Sequence, residues 1–225
     1  MQARPVRPNP GQRLALAEMG IDVWVSALPA SGAAVVPAGT GWQALQTEVS
    51  VCRDCALAET RTQTVFGVGD PGADWMLIGE APGAEEDRRG EPFVGRAGQL
   101  LNEMLKAVGL ARETVFIANI LKCRPPANRD PKPAEIAACA GHLRRQIEFV
   151  QPRLILAVGR IAAQSLLQTT TPVGRLRGRV HDYGAAGLPL VVTYHPAYLL
   201  RSPGQKRRAW DDLCLARATV AAVPE

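Results

Sequence analysis

The chain has 225 residues, of which 47% are hydrophobic and 21% are charged. That length and composition predict one globular domain with a sizeable core and exclude a disordered chain. The formal net charge is +5 and most cationic side chains are arginines; this excess suits a polyanionic partner, although GC-rich coding would also enrich arginine. No signal peptide or membrane-spanning run is visible, so the sequence predicts a soluble cytoplasmic protein, in which disulfides are not expected.

Residues 1–41 differ in composition from the rest of the chain. Residues 1–12 are rich in proline and arginine, residues 14–25 have the spacing of a short helix, and residues 29–41 consist mainly of alanine, glycine, serine and proline. The last composition is typical of a linker. We therefore predict an N-terminal extension with a linker over residues 1–41 and one domain over residues 42–225.

Four continuous apolar runs are predicted as strands, at residues 75–78, 115–118, 154–158 and 190–193. Continuous rather than alternating hydrophobicity is typical of strands that are buried on both faces. Helical patterns precede, separate and follow these runs, at residues 41–51, 97–108, 133–150, 161–167 and 206–220. This alternation predicts an α/β fold with three α/β/α layers and a central four-stranded parallel sheet.

Polar segments rich in glycine and proline follow three of the four predicted strands. They read GEAPGAEED from Gly79, NILKCRPP from Asn119 and YHPAYLLR from Tyr194. The carboxyl ends of parallel strands meet at one edge of a sheet, and ligands bind there. The sequence therefore predicts that these three segments form one binding site.

Four of the five cysteines form a candidate metal site: the C-x-x-C pair Cys52 and Cys55, with Cys123 and Cys139. Four thiolates suit either zinc or an iron–sulfur cluster, and the spacing alone does not choose between them. The alternatives are buried inert cysteines or a redox dithiol, and the latter lacks the thioredoxin-like strand it needs. Cys214, between two leucines, is predicted to be a buried inert cysteine.

Taken in chain order, these segments resemble family 4 of the uracil-DNA glycosylases. The matching segments are the C-x-x-C pair, GEAPGAEED, EPFVGRAGQLL from Glu91, NILKCRPPANRDP from Asn119, Cys139 and TYHPAYLLR from Thr193, within roughly residues 42–218. The resemblance implies a uracil-DNA glycosylase-like fold. It also implies a 4Fe-4S cluster held by Cys52, Cys55, Cys123 and Cys139.

The activity implied by this resemblance is that of a monofunctional hydrolase. It would flip uracil out of single- or double-stranded DNA and hydrolyse the N-glycosidic bond, which initiates base excision repair. A related group that traps its product carries a basic, histidine-containing insertion where NRDPKP stands here. The rim segments also show no candidate for a Schiff-base lysine, so strand cleavage is not expected. We expect a monomer.

The resemblance also implies a role for each uracil-binding residue. Phe93 stacks on the flipped base, Asn119 reads its edge with an amide donor and acceptor, and His195 stabilises the charge that develops on uracil O2. Glu80 and Ala81 present the first loop to the base. Without the resemblance, a phenylalanine in the core, an asparagine in a turn and a structural histidine would be the ordinary interpretations.

Two further roles stay open between candidates. Either Glu80 or Glu86 orients the attacking water or stabilises the cationic sugar. The most dissimilar relatives use an aspartate in this loop, and the corresponding position in this chain is not an aspartate. Leu199 or Leu200 fills the gap left by the flipped base, or both belong to the core. Arg201 and Lys206 are expected to hold DNA phosphates.

Two rival functions compete with the glycosylase. An iron–sulfur module that binds DNA without catalysis would need the cysteines and the positive charge but not Phe93, Asn119 and His195 together. A zinc hydrolase would need an open coordination position, which four cysteines close, and the chain has no H-x-E and P-C-x-x-C deaminase pattern.

Overall fold

The computed structural model describes residues 38–222. Its helices, in chain order, are α1 Ala38–Val51, α2 Ala84–Arg89, α3 Arg96–Ala107, α4 Pro133–Val150, α5 Arg160–Leu167, α6 Val173–Leu176, α7 Pro196–Arg201 and α8 Lys206–Ala222. Its strands are β1 Val68–Gly69, β2 Trp75–Gly79, β3 Phe116–Asn119, β4 Leu154–Val158, β5 Val180–Tyr183 and β6 Leu188–Thr193. Within residues 38–222, no helix is long and apolar enough to cross a bilayer.

The strands form one six-stranded sheet in the order β1-β3-β2-β4-β6-β5. The four inner strands run parallel, and the two edge strands are antiparallel to their neighbours. Gly79 pairs with Asn119 at the ends of β2 and β3, and Val158 pairs with Thr193 at the ends of β4 and β6. The carboxyl ends of all four parallel strands therefore lie at one edge.

Helices cover both faces of the sheet. Alternate residues of β2 contribute to different cores: Met76 and Ile78 belong to one, and Trp75 and Leu77 to the other. The first core is completed by apolar residues of α1, α4 and α5, and the second by those of α3, α7 and α8. Both faces of the strands are thus removed from water, which explains their continuous apolar sequences.

The α4 helix illustrates how local sequence sets an element's bounds. Pro133 occupies its first turn, where a missing N–H has no cost, and the Glu135 carboxylate accepts the Lys132 N–H at 2.8 Å. Gln151 ends the helix in the left-handed conformation, with a φ of 46°. The predicted bounds of this helix are confirmed.

The three-layer α/β/α prediction with four parallel strands is confirmed, but two strands escaped prediction. Strand β1 has only two residues. Strand β5 is a half-exposed edge strand, VHDY, without a continuous apolar run. Helix α1 begins at Ala38 rather than at Gly41, so the last residues of the predicted linker are helical. The rest of the predicted extension, with its helix at residues 14–25, lies outside the described residues.

Candidate active site and cysteine site

An open cleft of about 920 Å³ lies at the carboxyl edge of the sheet. It is lined by Arg201 and by every residue predicted for base recognition and chemistry, which are Glu80, Ala81, Glu86, Phe93, Asn119 and His195. Phe93 comes from the loop between the second and third helices, α2 and α3, and the other residues come from segments at the ends of β2, β3 and β6, which the parallel strands bring together. This convergence is the arrangement expected of a binding site in a parallel sheet.

Asn119, the last residue of β3, is 2% exposed. No described residue donates a hydrogen bond to its buried Oδ1. A buried acceptor without a partner costs about 1–3 kcal/mol, so such atoms are rare unless a ligand supplies the donor. The amide is therefore positioned to bind a donor that enters the cleft.

Gly79 lies beneath the Asn119 amide and the Phe93 ring. A Cβ at this position would stand 2.6 Å from Phe93 Cζ and would also collide with Asn119 Oδ1. Only a residue without a side chain lets both groups approach the end of β2. The GEAPG segment thus contributes space as well as functional groups.

The Phe93 loop is held in a strained conformation from two sides. Phe93 has a φ of 53°, which a residue with a Cβ seldom adopts. Glu86 Oε1 accepts hydrogen bonds from the N–H groups of Val94 and Gly95 at 3.0 and 3.1 Å. From the other side, the Arg112 guanidinium donates to the carbonyls of Pro92 and Phe93. A carboxylate and a guanidinium therefore fix the backbone on each side of the aromatic ring.

Helix α3 also packs closely on this loop. A Cβ on Gly98 would overlap the Phe93 carbonyl, so the glycine allows the helix to reach the loop. The Phe93 ring, 7% exposed, lies beside the His195 ring with 5.5 Å between centroids and 28° between planes. The two rings together form one aromatic wall of the cleft.

His195 precedes α7, and its Nδ1 accepts the Ala197 N–H at 3.1 Å. An accepting Nδ1 carries no proton, so the neutral ring carries its proton on Nε2. Burial, with a smaller effect from the positive charge of Arg201, lowers the pKa of His195 to about 4. At neutral pH the ring is therefore an uncharged hydrogen-bond donor.

Gly159 makes room for this histidine. It has a φ of 97°, and a Cβ there would stand 2.9 Å from His195 Cβ. A side chain at this position would be strained by the backbone conformation and would displace the ring. The site therefore requires a glycine directly after β4, and no sequence motif indicated this requirement.

The two candidate carboxylates have different surroundings. Glu86 Oε1 accepts the two N–H groups of the Phe93 loop, and its Oε2 accepts the Gly83 N–H at 3.1 Å. Glu80 lines the cleft, and burial chiefly, with the negative charge of Asp130, raises the pKa of its carboxyl group while Arg160 opposes the shift. Both carboxylates line the cleft, but the oxygens of Glu86 accept three main-chain N–H groups and so brace the Phe93 loop.

The four predicted DNA-contacting residues lie around α7, but one of them is in the core. Leu199 is 1% exposed and packs in the apolar core, so it cannot contact DNA without unfolding the helix. Leu200 is 38% exposed, and Arg201 and Lys206 are exposed. Of these, Arg201 lines the cleft. Of the two leucines, Leu200 is therefore the one whose side chain reaches solvent.

Cys52, Cys55, Cys123 and Cys139 all line a second, smaller cavity. Cys52 follows α1, Cys55 precedes a short 3-10 turn, Cys123 follows β3, and Cys139 lies within α4. Three parts of the chain therefore meet at these sulfurs: the C-x-x-C segment after α1, the loop after β3, and helix α4. Cys214 is exposed, so the prediction that it is buried is wrong; its helix turns it away from the core that Leu213 enters.

Three groups direct hydrogen bonds at these sulfur atoms. Arg61 Nη1 donates to Cys123 Sγ at 3.0 Å, the Lys122 N–H donates to Cys139 Sγ at 3.3 Å, and His142 Nε2 lies 3.4 Å from Cys52 Sγ. Ligand thiolates accept such bonds, whereas neutral thiols are weak acceptors. Four converging sulfurs with donors around them fit a metal cluster.

His142, a buried residue of helix α4, lies beside the cysteines. A ring nitrogen of His142, Cys52 Sγ and a carboxylate oxygen of Asp54 lie within 4.8 Å of one another. Burial raises the pKa of Cys123 to about 11 despite the nearby Arg61 guanidinium. A positively charged ligand would be needed to keep that sulfur ionised at neutral pH.

The chain is similar in sequence to known uracil-DNA glycosylases. Residues 66–215 match the Uracil DNA glycosylase superfamily. The type-4 uracil-DNA glycosylase of Archaeoglobus fulgidus is 47% identical over 163 residues, which cover 69% of this chain and 81% of that protein. The type-4 uracil-DNA glycosylase of Thermotoga maritima is 42% identical over 161 residues, covering 71% of this chain and 83% of that protein.

A less similar relative is a uracil-DNA glycosylase of another type. The type-5 uracil-DNA glycosylase of Pyrobaculum aerophilum is 32% identical over 154 residues, which cover 61% of this chain and 67% of that protein. The type-4 relatives are therefore clearly more similar than the type-5 relative. By these matches, and with the cleft at the carboxyl edge of its sheet, the chain belongs to the uracil-DNA glycosylase superfamily and to its type-4 family.

Proposed function

We propose that this chain removes uracil from DNA by hydrolysing the N-glycosidic bond and leaves an abasic site. The observation that carries the proposal is the buried, unpartnered Oδ1 of Asn119 in a cleft walled by Phe93 and His195. The names of its type-4 relatives, uracil-DNA glycosylases, support the same reaction. This removal of the base would be the first step in the repair of uracil in DNA.

Asn119 selects uracil by its hydrogen-bond pattern. Its Oδ1 accepts the N3–H of uracil, and its Nδ2 donates to O4. Cytosine presents an acceptor at N3 and a donor at N4, so both contacts would become repulsive. Phe93 provides a surface on which the flipped base stacks, a contact worth roughly 1–3 kcal/mol per base. The Ala81 side of the loop closes the pocket around it.

His195 lowers the energy of the departing base. When the bond between N1 and sugar C1′ breaks, both electrons remain on uracil, and negative charge develops on O2. The neutral imidazole donates its Nε2–H to this oxygen, which stabilises the transition state more than the bound substrate. Because the pKa of His195 is about 4, the ring takes up no second proton in the neutral range, so Nδ1 continues to accept the Ala197 N–H and Nε2–H remains the donor.

Glu80 completes the hydrolysis. A water molecule adds its oxygen to the cationic C1′, and its released proton passes to the Glu80 carboxylate. The products are the uracil anion, which takes up a proton, and a sugar with a hydroxyl at C1′. Glu86 contributes indirectly, because it holds the loop that presents Phe93.

A monofunctional reaction is supported by the make-up of the cleft. Among the described residues that line it, there is no lysine to form a Schiff base with the sugar. The Lys122 ammonium, in the segment that carries Asn119, is 1% exposed and turned away into the protein. The product therefore keeps an unbroken strand.

Cys52, Cys55, Cys123 and Cys139 hold a 4Fe-4S cluster in this proposal. The fit rests on four sulfurs around one cavity and on the hydrogen bonds that reach them. The cluster would supply a covalent cross-link between α1, the loop after β3 and helix α4, rather than a reacting atom. It thereby anchors the segment that begins with Asn119.

The DNA duplex or single strand lies across the mouth of the cleft. Leu200 fills the space that the flipped nucleotide leaves, and Arg201 with Lys206 holds the flanking phosphates. The exposure of these three side chains supports that placement. The enzyme acts as a monomer, since one chain supplies every group of this scheme.

Release of free uracil from an oligonucleotide with a single uracil tests the proposal. We expect wild type to release the base and leave an alkali-labile strand, and Asn119→Ala and His195→Ala to lose most of that rate. His181→Ala is the matched control, because His181 bonds the Leu176 carbonyl at 2.6 Å outside the cleft. Binding of uracil-DNA by wild type without base release would favour the non-catalytic DNA-binding module.

A further inference from the structure

Lys122 lies between the base cleft and the cysteine site. Its side chain is 1% exposed, and its Nζ donates to the Asn119 carbonyl at 2.8 Å and to Gln146 Oε1 at 2.6 Å. Gln146, on helix α4, is fully buried and donates in turn to the Phe66 carbonyl at 2.9 Å. A chain of hydrogen bonds therefore runs from the core to the main chain of Asn119.

This lysine is costly to bury. Within the described part of the chain it forms no ion pair with a carboxylate, and its ammonium is satisfied by two neutral oxygens. Burying an ammonium is unfavourable unless nearby negative charge offsets it, and the negative charge that acts on Lys122 comes from the sulfurs of Cys139 and Cys123. A methionine would fill similar volume without that cost. The contacts that Lys122 makes should therefore explain why a lysine is buried at this position.

We propose that Lys122 is a positioning residue that fixes Asn119 for uracil recognition and ties it to the cysteine site. The side chain holds the Asn119 carbonyl, and the main-chain N–H of the same residue donates to Cys139 Sγ at 3.3 Å. One residue thus contacts both sites. The inference rests on the proposed function, since it takes Asn119 as the residue that reads uracil.

Asn119 needs such support because its own amide oxygen has no partner until the base arrives. The main chain after Asn119 is held to the segment after β2 by the Ile120 N–H, which donates to the Gly79 carbonyl at 2.9 Å, and by the Leu121 N–H, which donates to the Glu80 carbonyl at 3.0 Å. The Lys122 ammonium adds the hydrogen bond to the carbonyl of Asn119 itself. An error of about 1 Å in a recognition group can lower the rate about 100-fold. Lys122 sets the position of the backbone from which that amide extends.

A double-mutant cycle between Lys122→Met and Asn119→Ala tests the inference. The readouts are kcat/KM on uracil-containing oligonucleotide and the inhibition constant of free uracil, which reports the base pocket without chemistry. We expect Lys122→Met to lower kcat/KM about 10- to 100-fold, as for the loss of a hydrogen bond from a charged group. The same change in an Asn119→Ala background should have less than about a twofold further effect.

The inhibition constant separates positioning from simple damage to the fold. A displaced Asn119 should weaken inhibition by free uracil about as much as it lowers kcat/KM. A smaller active fraction would instead lower kcat and leave the inhibition constant unchanged, which would overturn the inference. Lys106→Met is the matched control, because Lys106 is exposed on α3 and pairs with Glu103 at 2.7 Å.

Substitutions of Gln146 provide a second test of the role of Lys122, and this test remains possible if Lys122→Met does not fold. Gln146→Glu keeps an acceptor for the Lys122 ammonium, whereas Gln146→Met removes it. We expect Gln146→Met to weaken uracil inhibition more than Gln146→Glu does, with equal iron content in both proteins. Equal effects of the two changes would contradict the inference.

The outcomes for the two proposals are distinguishable. Wild type that releases no uracil refutes the proposed function itself. Wild type that releases uracil, together with fully additive effects of Lys122→Met and Asn119→Ala, refutes only the role given to Lys122.

Discussion

A methyl group added at Gly79 would test the geometry of the base pocket. Gly79→Ala places a carbon 2.6 Å from Phe93 Cζ, and still closer to Asn119 Oδ1. Ordinary contact needs about 3.4 Å, so Phe93 Cζ has to move by about 0.8 Å and Asn119 Oδ1 by more. Both groups would leave the positions from which they hold the base.

The expected loss follows from the size of that displacement. Misplacement by about 1 Å can lower a rate about 100-fold, so we expect kcat/KM for uracil release to fall by about that factor. Overpacking costs roughly 1–3 kcal/mol of stability, which a folded domain of this size can tolerate. Activity should therefore be lost from a protein that still melts cooperatively.

The assay compares single-turnover release of uracil with thermal unfolding of the same preparations. Gly141→Ala, within helix α4, is the matched control because a Cβ there meets no atom within 4 Å. It should keep wild-type activity and gain slightly in stability from better helix propensity. Wild-type kcat/KM in folded Gly79→Ala would refute the close approach of Phe93 and Asn119 to the end of β2.

Four further predictions address individual groups. His195→Ala should lower kcat about 100- to 1,000-fold in single-turnover assays, as for loss of a transition-state donor, and an unchanged kcat would contradict its role. Glu80 must be ionised to accept a proton, and burial raises its pKa. The rate should therefore fall as the pH is lowered through that raised pKa. Glu80→Gln should be slower overall and should lose this fall in rate at acid pH, the acid limb. Protonation of His195, with a pKa of about 4, should contribute only below that limb. Cys139→Ala should lose iron, visible absorbance and thermal stability, whereas exposed Cys214→Ala should retain all three; equal iron content in the two would argue against the cluster assignment. Arg201→Ala should weaken DNA binding and reduce the salt dependence by about one phosphate contact, and an unchanged slope in a salt titration would remove Arg201 from the DNA surface.

The inner part of the fold could be predicted because burial on both faces leaves a plain trace in sequence. Strand β4, LILAV, is apolar at every position and is fully buried, so its pattern had one interpretation. The edge strands leave no such trace: the two residues of β1 are too few, and β5 alternates between exposed and half-buried positions. Edge strands take their conformation from their neighbours rather than from their own sequence.

The sequence predicted which residues line the cleft, but it did not predict what contacts each of them makes. Glu80 and Glu86 share one acidic segment, and only the hydrogen bonds to Val94 and Gly95 identify Glu86 as a brace. Leu199 and Leu200 are neighbours of the same type, and the rotation of α7 buries one and exposes the other. Such distinctions depend on contacts between distant segments, which no local pattern records.

Two supporting residues, Arg112 and Lys122, were missed for the same reason. Arg112 lies far along the chain from Phe93, yet it donates to the carbonyl of that residue. The burial of Lys122 between two sites depends on how α4 packs against the loop after β3. The single available signal was its place between Asn119 and Cys123, two residues already assigned to different sites.

The most direct test of the central claim compares free base released from two oligonucleotides that differ only in carrying uracil or cytosine at one position. The account predicts that wild type releases uracil, leaves cytosine in place, and loses the release of uracil when Asn119 is replaced by alanine. Release of both bases at the same rate, or of neither, would contradict the claim that Asn119 reads uracil in this cleft.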